Sequence, residues 1–161
     1  ICWHLRMKVC MVNVEIIPVE YGDKRYYETA DLAKNCSFQG TGTYLSELME
    51  DNEFCDFERI YSAIVNDTVV GFCAIVKESC CENDSNTPWL DFLFVDENYR
   101  NCGIAYQMIK VVESYAKEIG FTSLFLCTAS HQAFYQKYGF KFSYDVSINE
   151  YTDGVVMEKL L

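Results

Sequence analysis

The sequence predicts a mixed α/β fold in which strands and helices share one chain. Two hairpin patterns, one towards each end, indicate antiparallel strands. Residues 89–95 form an almost continuously apolar run, which is typical of a strand buried on both faces. Apolar residues then recur at helical spacing from Ala105 to Ile119. A chain of 161 residues has the usual size of one domain with a substantial core.

The predicted elements follow from local composition along the chain. Segments rich in β-branched and aromatic residues predict seven strands, at residues 12–19, 60–65, 69–76, 89–95, 123–127, 140–146 and 154–160. Asn66, Asp67 and Thr68 are expected to form the turn of the first hairpin. Four helices are predicted at residues 28–35, 43–49, 105–119 and 131–138. We expect Gly120 to end the third helix and Gly139 to end the fourth, because glycine is common just after the last residue of a helix.

The charge balance excludes two classes of partner. Thirteen lysines and arginines against 24 aspartates and glutamates give a net charge of −11. Nucleic-acid binding and peripheral membrane binding both need clustered basic residues, and the sequence contains no such cluster. No apolar run reaches the roughly 20 residues of a membrane-spanning helix. We therefore expect no nucleic acid and no membrane as partners, whereas an acidic surface favours cationic partners such as amines.

Cysteine usage indicates a reducing, cytoplasmic environment. The nine cysteines are an odd number, none of them forms a C-x-x-C pair, and the histidines are only His4 and His131. The ligand spacings of a zinc site are therefore missing, and we expect no metal. The adjacent pair Cys80 and Cys81 leaves a redox-sensing domain as a minor alternative. Residues 1–10 are expected to be a non-native or disordered leader, and residues 11–161 a single domain.

The strongest local signal for chemistry is the strand-to-helix junction at residues 95–105, with the sequence VDENYRNCGIA. Glycine at such a junction lets backbone amides approach a ligand closely. The start of a helix adds unpaired N–H groups and a partial positive charge. This combination favours binding of a pyrophosphate group, although a simple turn has the same local pattern.

A second motif at residues 123–140, SLFLCTASHQAFYQKYGF, completes a family resemblance. Together the two segments resemble the GNAT superfamily of acyl-CoA-dependent N-acetyltransferases. The phosphate loop of that family, [RQ]-x-x-G-x-[GA], is matched by Arg100, Gly103 and Ala105. Its late signature, [FL]-Y-x-K-x-G-F, is matched by Phe134, Tyr135, Lys137, Gly139 and Phe140. The resemblance covers about 150 residues and implies a central, mostly antiparallel, twisted sheet of about six to seven strands flanked by about four helices.

The resemblance also implies a cofactor site for acetyl-CoA as the cosubstrate. In such proteins the fourth strand bonds the pantetheine arm through its backbone, which assigns Leu93, Phe94 and Val95 to that arm. The pyrophosphate lies on the loop and the first helical turn, which correspond here to Arg100, Asn101, Cys102, Gly103, Ile104, Ala105 and Tyr106.

Two side chains are candidates for catalysis. Tyr135 corresponds to the family tyrosine that protonates the departing thiolate, and a phenol is protonated at neutral pH. Asp91 is the only carboxylate in its strand and lies four residues before Val95, which predicts the same strand face; we expect it to act as base or amine anchor. A backbone N–H near Val95 is expected to stabilise the oxyanion.

The acceptor is expected to be a primary amine of a small molecule or peptide. Candidate contacts come from residues 26–44 and 147–153, where Glu28, Asp31, Glu150 and Asp153 would suit a cationic acceptor. Thr128 stands where many family members have an asparagine, and Tyr135 follows Cys127 by only eight positions, so the loop after the fifth strand is expected to be short. A homodimer is left open. The alternative function is a non-catalytic acyl-CoA-binding sensor or interaction module.

Overall fold

A computed structural model of the protein describes residues 12–79 and 84–161. Within these ranges one sheet contains seven strands: β1 (Glu15–Val19), β2 (Arg59–Val65), β3 (Thr68–Val76), β4 (Trp89–Val95), β5 (Ser123–Thr128), β6 (Lys141–Asn149) and β7 (Thr152–Leu160). The helices are α1 (Lys24–Asn35), α2 (Thr41–Glu50), α3 (Ile104–Glu118) and α4 (Gln132–Gln136), with a 3-10 turn at Glu97–Tyr99. The strand order is β1-β2-β3-β4-β5-β7-β6. The predicted fold class is confirmed.

The hairpins differ from the predictions only in detail. Asn66 and Asp67 form a two-residue turn with φ of 47° and 63°, and Thr68 already belongs to β3. A turn with two positive φ angles matches the twist of its strands, which explains why it is shorter than the predicted three residues. β1 begins at Glu15, three residues later than predicted.

The two faces of the sheet carry separate cores. The apolar side of α3 packs on one face, where Met108, Ile109, Val112 and Ala116 are all completely buried. The other face is covered by α1 and α2, which contribute Tyr26, Ala33, Leu45 and Met49 among others. A sheet covered on both faces explains why β3 and β4 are continuously apolar.

The sheet opens at its centre, between β4 and β5. These neighbours are parallel and share one register pair, Trp89 with Phe125, whereas β5 and β7 share six. A bulge in β4 accompanies the opening, because two residues, Phe92 and Leu93, face the single residue Cys73 of β3. Phe92 adopts φ of 56°, in the left-handed region. The result is a gap between two strands that would otherwise form a continuous ladder.

Some sequence predictions fall outside the described residues. The leader at residues 1–10 and the pair Cys80 and Cys81 belong to this group. In the described ranges, Cys36, Cys55, Cys73, Cys102 and Cys127 form no disulfide. The helices described here include none that is long and apolar enough to cross a membrane.

Candidate active site

A cleft of about 1270 Å³ runs from the start of α3, past the opening between β4 and β5, to the α1–α2 connection. It brings together eleven of the twelve predicted site residues: Asp91, Leu93, Phe94, Val95, Arg100, Asn101, Gly103, Ile104, Ala105, Tyr106 and Tyr135. Cys102 does not line the cleft, and its Sγ lies 3.5 Å from the carbonyl oxygen of Arg100. The thiol of Cys102 is therefore directed to its own loop, and only its backbone remains a candidate for binding.

The loop before α3 presents backbone amides to the cleft. Asn101 and Gly103 have φ of 60° and 77°, so the chain turns sharply before the helix. In the described structure, the first α3 amide that donates to a backbone carbonyl is that of Gln107, which bonds Gly103 at 3.1 Å. A Cβ built on Gly103 would meet none of the described atoms within 4 Å. Open space in front of amides at a helix start fits a pyrophosphate group.

The Arg100 side chain links this loop to the end of β4. Its Nε donates to the carbonyl oxygen of Val95 at 3.0 Å, and its guanidinium lies 5.7 Å from the centre of the Phe94 ring. A carbonyl oxygen has two lone pairs, so a pantetheine arm bonded to the Val95 carbonyl would share this acceptor with Arg100. The backbone contact predicted for Val95 is therefore compatible with this bond.

The expected placement of Asp91 on the face of Val95 is wrong. Asp91 lies opposite Ala74, which belongs to the core beneath α1 and α2, whereas Val95 belongs to the core beneath α3. The bulge in β4 adds one residue between them, and an extra residue reverses the alternation of side chains along a strand. Asp91 still lines the cleft, and its Oδ1 accepts a hydrogen bond from the amide of Phe92 at 2.7 Å.

Tyr135 lies on the short helix α4, at the wall of the cleft. Its ring packs edge-to-face against Phe134 and Phe140, with centroids 5.0 and 5.9 Å away. Burial raises the pKa of the Tyr135 hydroxyl well above the usual value of a phenol, and the neighbouring Asp91 carboxylate and Cys73 thiol raise it further. The hydroxyl is therefore protonated throughout the physiological range and can donate a proton or hydrogen bond into the cleft.

The other end of the cleft contains residues that the sequence analysis did not single out. Tyr44 packs on Phe92 and Phe38 stacks on Phe94, both with centroids 6.2 Å apart. Carboxylates also line the cleft at Glu53, Glu58 and Glu78, while Glu97 lies in the turn before α3, at the cofactor end. No local sequence signal marks the residues of the far end, because they come from distant segments that only the fold brings together. Phe38 and Tyr44 do fall within the predicted acceptor segment 26–44.

The acidic residues proposed for acceptor binding are placed elsewhere. Glu28 and Asp31 line an adjoining cavity of about 520 Å³ between α1 and the start of β3, which shares Ser37, Phe94 and Glu97 with the cleft. Glu150 and Asp153 do not line the described cleft, to which the β6–β7 region contributes Ile148. The carboxylates at this end of the cleft therefore differ from those that the sequence suggested. In the described residues, no group of three or more His, Cys, Asp or Glu side chains could hold a metal ion.

The sheet order, the open seam and the amide-rich helix start correspond to the class of acyl-CoA-dependent N-acetyltransferases that the motifs indicated. The profile of the "Acetyltransferase (GNAT) family" matches residues 26–140, which is more than half of the chain. The chain therefore belongs to the GNAT acetyltransferase family. This assignment also supports acetyl-CoA as the cosubstrate.

Individual relatives agree with the family. The chain is 25% identical over 108 residues to a spermine/spermidine N(1)-acetyltransferase of Bacillus subtilis, covering 63% of this chain and 71% of the relative. A GNAT acetyltransferase from Elizabethkingia anophelis, solved with acetyl-CoA bound, superposes with a TM-score of 0.66 at 22% identity, covering 92% of this chain and 99% of that one. An aminoglycoside 6'-N-acetyltransferase solved with coenzyme A gives a TM-score of 0.72 at 16% identity, with coverages of 91% and 96%. The structural similarities at these identities show the fold.

Proposed function

We propose that the protein transfers an acetyl group from acetyl-CoA to a primary amine by direct attack within a ternary complex. The observation that carries this proposal is the cleft itself, because it joins the amide-rich start of α3, the opening beside β4 and the hydroxyl of Tyr135 in one space. Each of these features serves a different part of the reaction. Their meeting in one cleft is what a transfer between two bound substrates requires.

The cofactor end would hold the cosubstrate mainly through its backbone. The amides from Asn101 to Tyr106 would bind the pyrophosphate, and the backbone of β4 from Leu93 to Val95 would bond the pantetheine arm beside the opening. Acetyl-CoA supplies an activated thioester when bound there. Because the protein carries a net charge of −11, these local amides must outweigh an unfavourable overall field.

The reaction needs one proton donor and one proton acceptor. The amine nitrogen forms a bond to the acetyl carbon, the carbon–sulfur bond breaks, and the thiolate takes up a proton. Tyr135 would donate that proton, since its raised pKa keeps it protonated. Asp91, directly or through a water molecule, would accept the proton lost by the attacking amine, or anchor the amine while water removes the proton.

The acceptor end favours a cationic amine. Aromatic rings at Phe38, Tyr44 and Phe92 lie beside the carboxylates that line the cleft. Aromatic faces and carboxylates both attract ammonium groups, while the rings also pack on an aliphatic chain. A polyamine is therefore the first acceptor to test, in keeping with the activity of the Bacillus subtilis relative, and an aminoglycoside is the second. We place this activity in the cytoplasm, as the cysteine content predicts.

The test measures binding and turnover separately. Calorimetry gives the affinity for acetyl-CoA, and chromatography gives the CoA released with spermidine, an aminoglycoside, a lysine peptide or a peptide N-terminus as acceptor. Chromatography is preferable to a thiol reagent because the nine cysteines of the protein would react as well. The variant Tyr135→Phe is compared with Tyr27→Phe, which alters an exposed tyrosine outside the described cleft.

Three outcomes are informative. Amine-dependent CoA release that falls steeply in Tyr135→Phe and persists in Tyr27→Phe supports the enzyme and its acid. Tight binding without release on any acceptor favours the sensor function. Absence of binding contradicts the cofactor site itself.

A further inference from the structure

A buried ion pair outside the cleft links three elements of the fold. Lys159 on β7 donates from Nζ to Glu113 Oε1 on α3 at 2.5 Å and to the carbonyl oxygen of Tyr138 at 2.6 Å. The Glu113 side chain is only 4% exposed, and its Oε2 accepts a hydrogen bond from Lys110 at 2.8 Å. Of the two lysines that contact Glu113, Lys159 also bonds the segment after α4.

The segment that Lys159 contacts is also hydrogen-bonded to the backbone of Tyr135. The amides of Tyr138 and Phe140 donate to the carbonyl oxygen of Tyr135 at 3.0 and 3.3 Å. The ring of Tyr138 stacks on Tyr106 in the first turn of α3, with centroids 5.1 Å apart. Displacement of the Tyr138 backbone would therefore be transmitted to Tyr135 through hydrogen bonds and to the start of α3 through the ring.

Helix α4 is short, with five residues of which none is fully buried. Phe134 and Tyr135 pack against the core beneath α3, so the bond from Lys159 adds to this packing at the C-terminal end of the helix. Gly139 follows with φ of 91°, and a Cβ there would lie 3.2 Å from Cε of Lys159. The glycine of the late motif therefore lets the lysine stem pass close to the backbone and reach the Tyr138 carbonyl.

We infer that Lys159 is a positioning residue, which fixes the Tyr135 hydroxyl in the cleft through its bond to the carbonyl of Tyr138. Glu113 orients Lys159 by accepting its second hydrogen bond. The inference rests on the proposed function, since it assigns Tyr135 the role of proton donor. A donor must be held to a fraction of an ångström, because small misplacements of reacting groups cost large factors in rate.

The chain offers matched variants for this test. Lys159→Met removes the bond to the Tyr138 carbonyl, and Lys159→Arg keeps a cation that can restore it. The double variant Glu113→Gln/Lys159→Met removes the same bond without leaving the buried carboxylate dependent on Lys110 alone. Glu113→Gln retains Lys159 and its bond to Tyr138. Lys110→Met removes the other cation beside Glu113 and does not touch the α4 segment.

We expect Lys159→Met and the double variant to lower kcat about tenfold, with KM for acetyl-CoA changed less than about twofold. Lys159→Arg should recover most of kcat, and Lys110→Met and Glu113→Gln should stay within about threefold of wild type. Hydrogen exchange measured on peptides covering residues 132–140 should be faster in Lys159→Met and in the double variant, and unchanged in Lys110→Met.

The outcomes separate this inference from the proposed function. No turnover by the wild-type protein contradicts the proposed function, and the exchange measurement then still decides whether Lys159 holds the α4 segment. Turnover by wild type with unchanged kcat and exchange in the double variant overturns the positioning role. Equal losses in Lys110→Met and Lys159→Met also overturn it, because they would indicate a general effect of the buried charges. Should Lys159→Met fail to fold, the double variant decides.

Discussion

The two ends of the cleft offer different kinds of groups to a ligand. At the start of α3 these groups belong mainly to the backbone, with Asn101 and Gly103 in the left-handed region and the first helical turn lining the cleft. At the α1–α2 end, the groups belong to side chains, such as Tyr44 on Phe92 and the surrounding carboxylates. In the proposed function, one end takes the pyrophosphate of the cosubstrate and the other takes a cationic amine.

This difference teaches how a common fold can serve different acceptors. A backbone site depends on φ angles and helix geometry, which tolerate many changes of side chain as long as the glycine remains. A side-chain site changes with each substitution on the connecting loops. Tyr135 lines the same cleft and would donate the proton in the proposed reaction, so we expect it to be the most sensitive position in the cleft.

The largest expected effect comes from Tyr135→Phe. Loss of the hydroxyl removes the proton donor while the ring and its packing on Phe134 and Phe140 remain. We expect kcat to fall by about 10² to 10⁴-fold with the acetyl-CoA dissociation constant changed less than about twofold. Steady-state kinetics and calorimetry on the same preparation check this. A kcat close to wild type would assign the proton donation to another group.

The backbone character of the cofactor end is tested by Gly103→Ala. An L-residue at φ of 77° costs about 1 to 2 kcal/mol, so the loop should relax and acetyl-CoA affinity should fall about tenfold. Gly120→Ala is the matched control, because Gly120 has φ of 97° and follows the other end of α3. The stability of Gly120→Ala, measured by thermal melting, should decrease by a similar amount. Its affinity for acetyl-CoA, measured by calorimetry, should not fall. Equal losses of affinity would contradict a local role for the Gly103 turn.

The side-chain character of the acceptor end is tested by Tyr44→Ala. Removal of the ring takes away one aromatic face and its contact with Phe92, so KM for a cationic amine should rise about fivefold. The acetyl-CoA dissociation constant should not change, because Tyr44 lies away from the start of α3. Tyr27→Ala, which removes an equally exposed tyrosine outside the described cleft, should leave both constants unchanged. A larger change in the acetyl-CoA dissociation constant than in KM for the amine would contradict the placement of Tyr44 at the acceptor end.

The smallest expected effect concerns alkaline pH. The pKa of Tyr135 is raised in the folded protein relative to about 10 in the unfolded chain. Above about pH 10 the unfolded chain therefore loses this proton more readily than the folded protein. The free energy of unfolding is unaffected by Tyr135 below that pH and falls as the pH rises above it. Between pH 9 and 11 the free energy of unfolding of wild type should therefore fall about 1 kcal/mol more than that of Tyr135→Phe. Urea titrations at each pH measure this difference, and parallel curves would show that the Tyr135 environment does not disfavour its ionisation.

Sequence patterns alone predicted much of the fold, including the strand-to-helix junction that we propose as the cofactor end. The segment 89–95 was predicted as a strand with both of its boundaries, and α3 was displaced by only one residue at each end. These elements have strong local causes, namely an apolar run buried on both faces and a helical stripe with a glycine on either side. The backbone site at Gly103 is local for the same reason, since its turn and helix start are consecutive in the chain.

Tertiary structure decided the rest. The face of Asp91 depends on a bulge that exists only because β4 pairs with β3 on one side and separates from β5 on the other. The acceptor end joins side chains from distant segments, and the pair of Glu113 and Lys159 spans 46 positions in sequence. No local pattern contains such contacts, because alternation and helical periodicity describe neighbours along the chain. Contacts between distant residues are set by how the completed elements pack against one another.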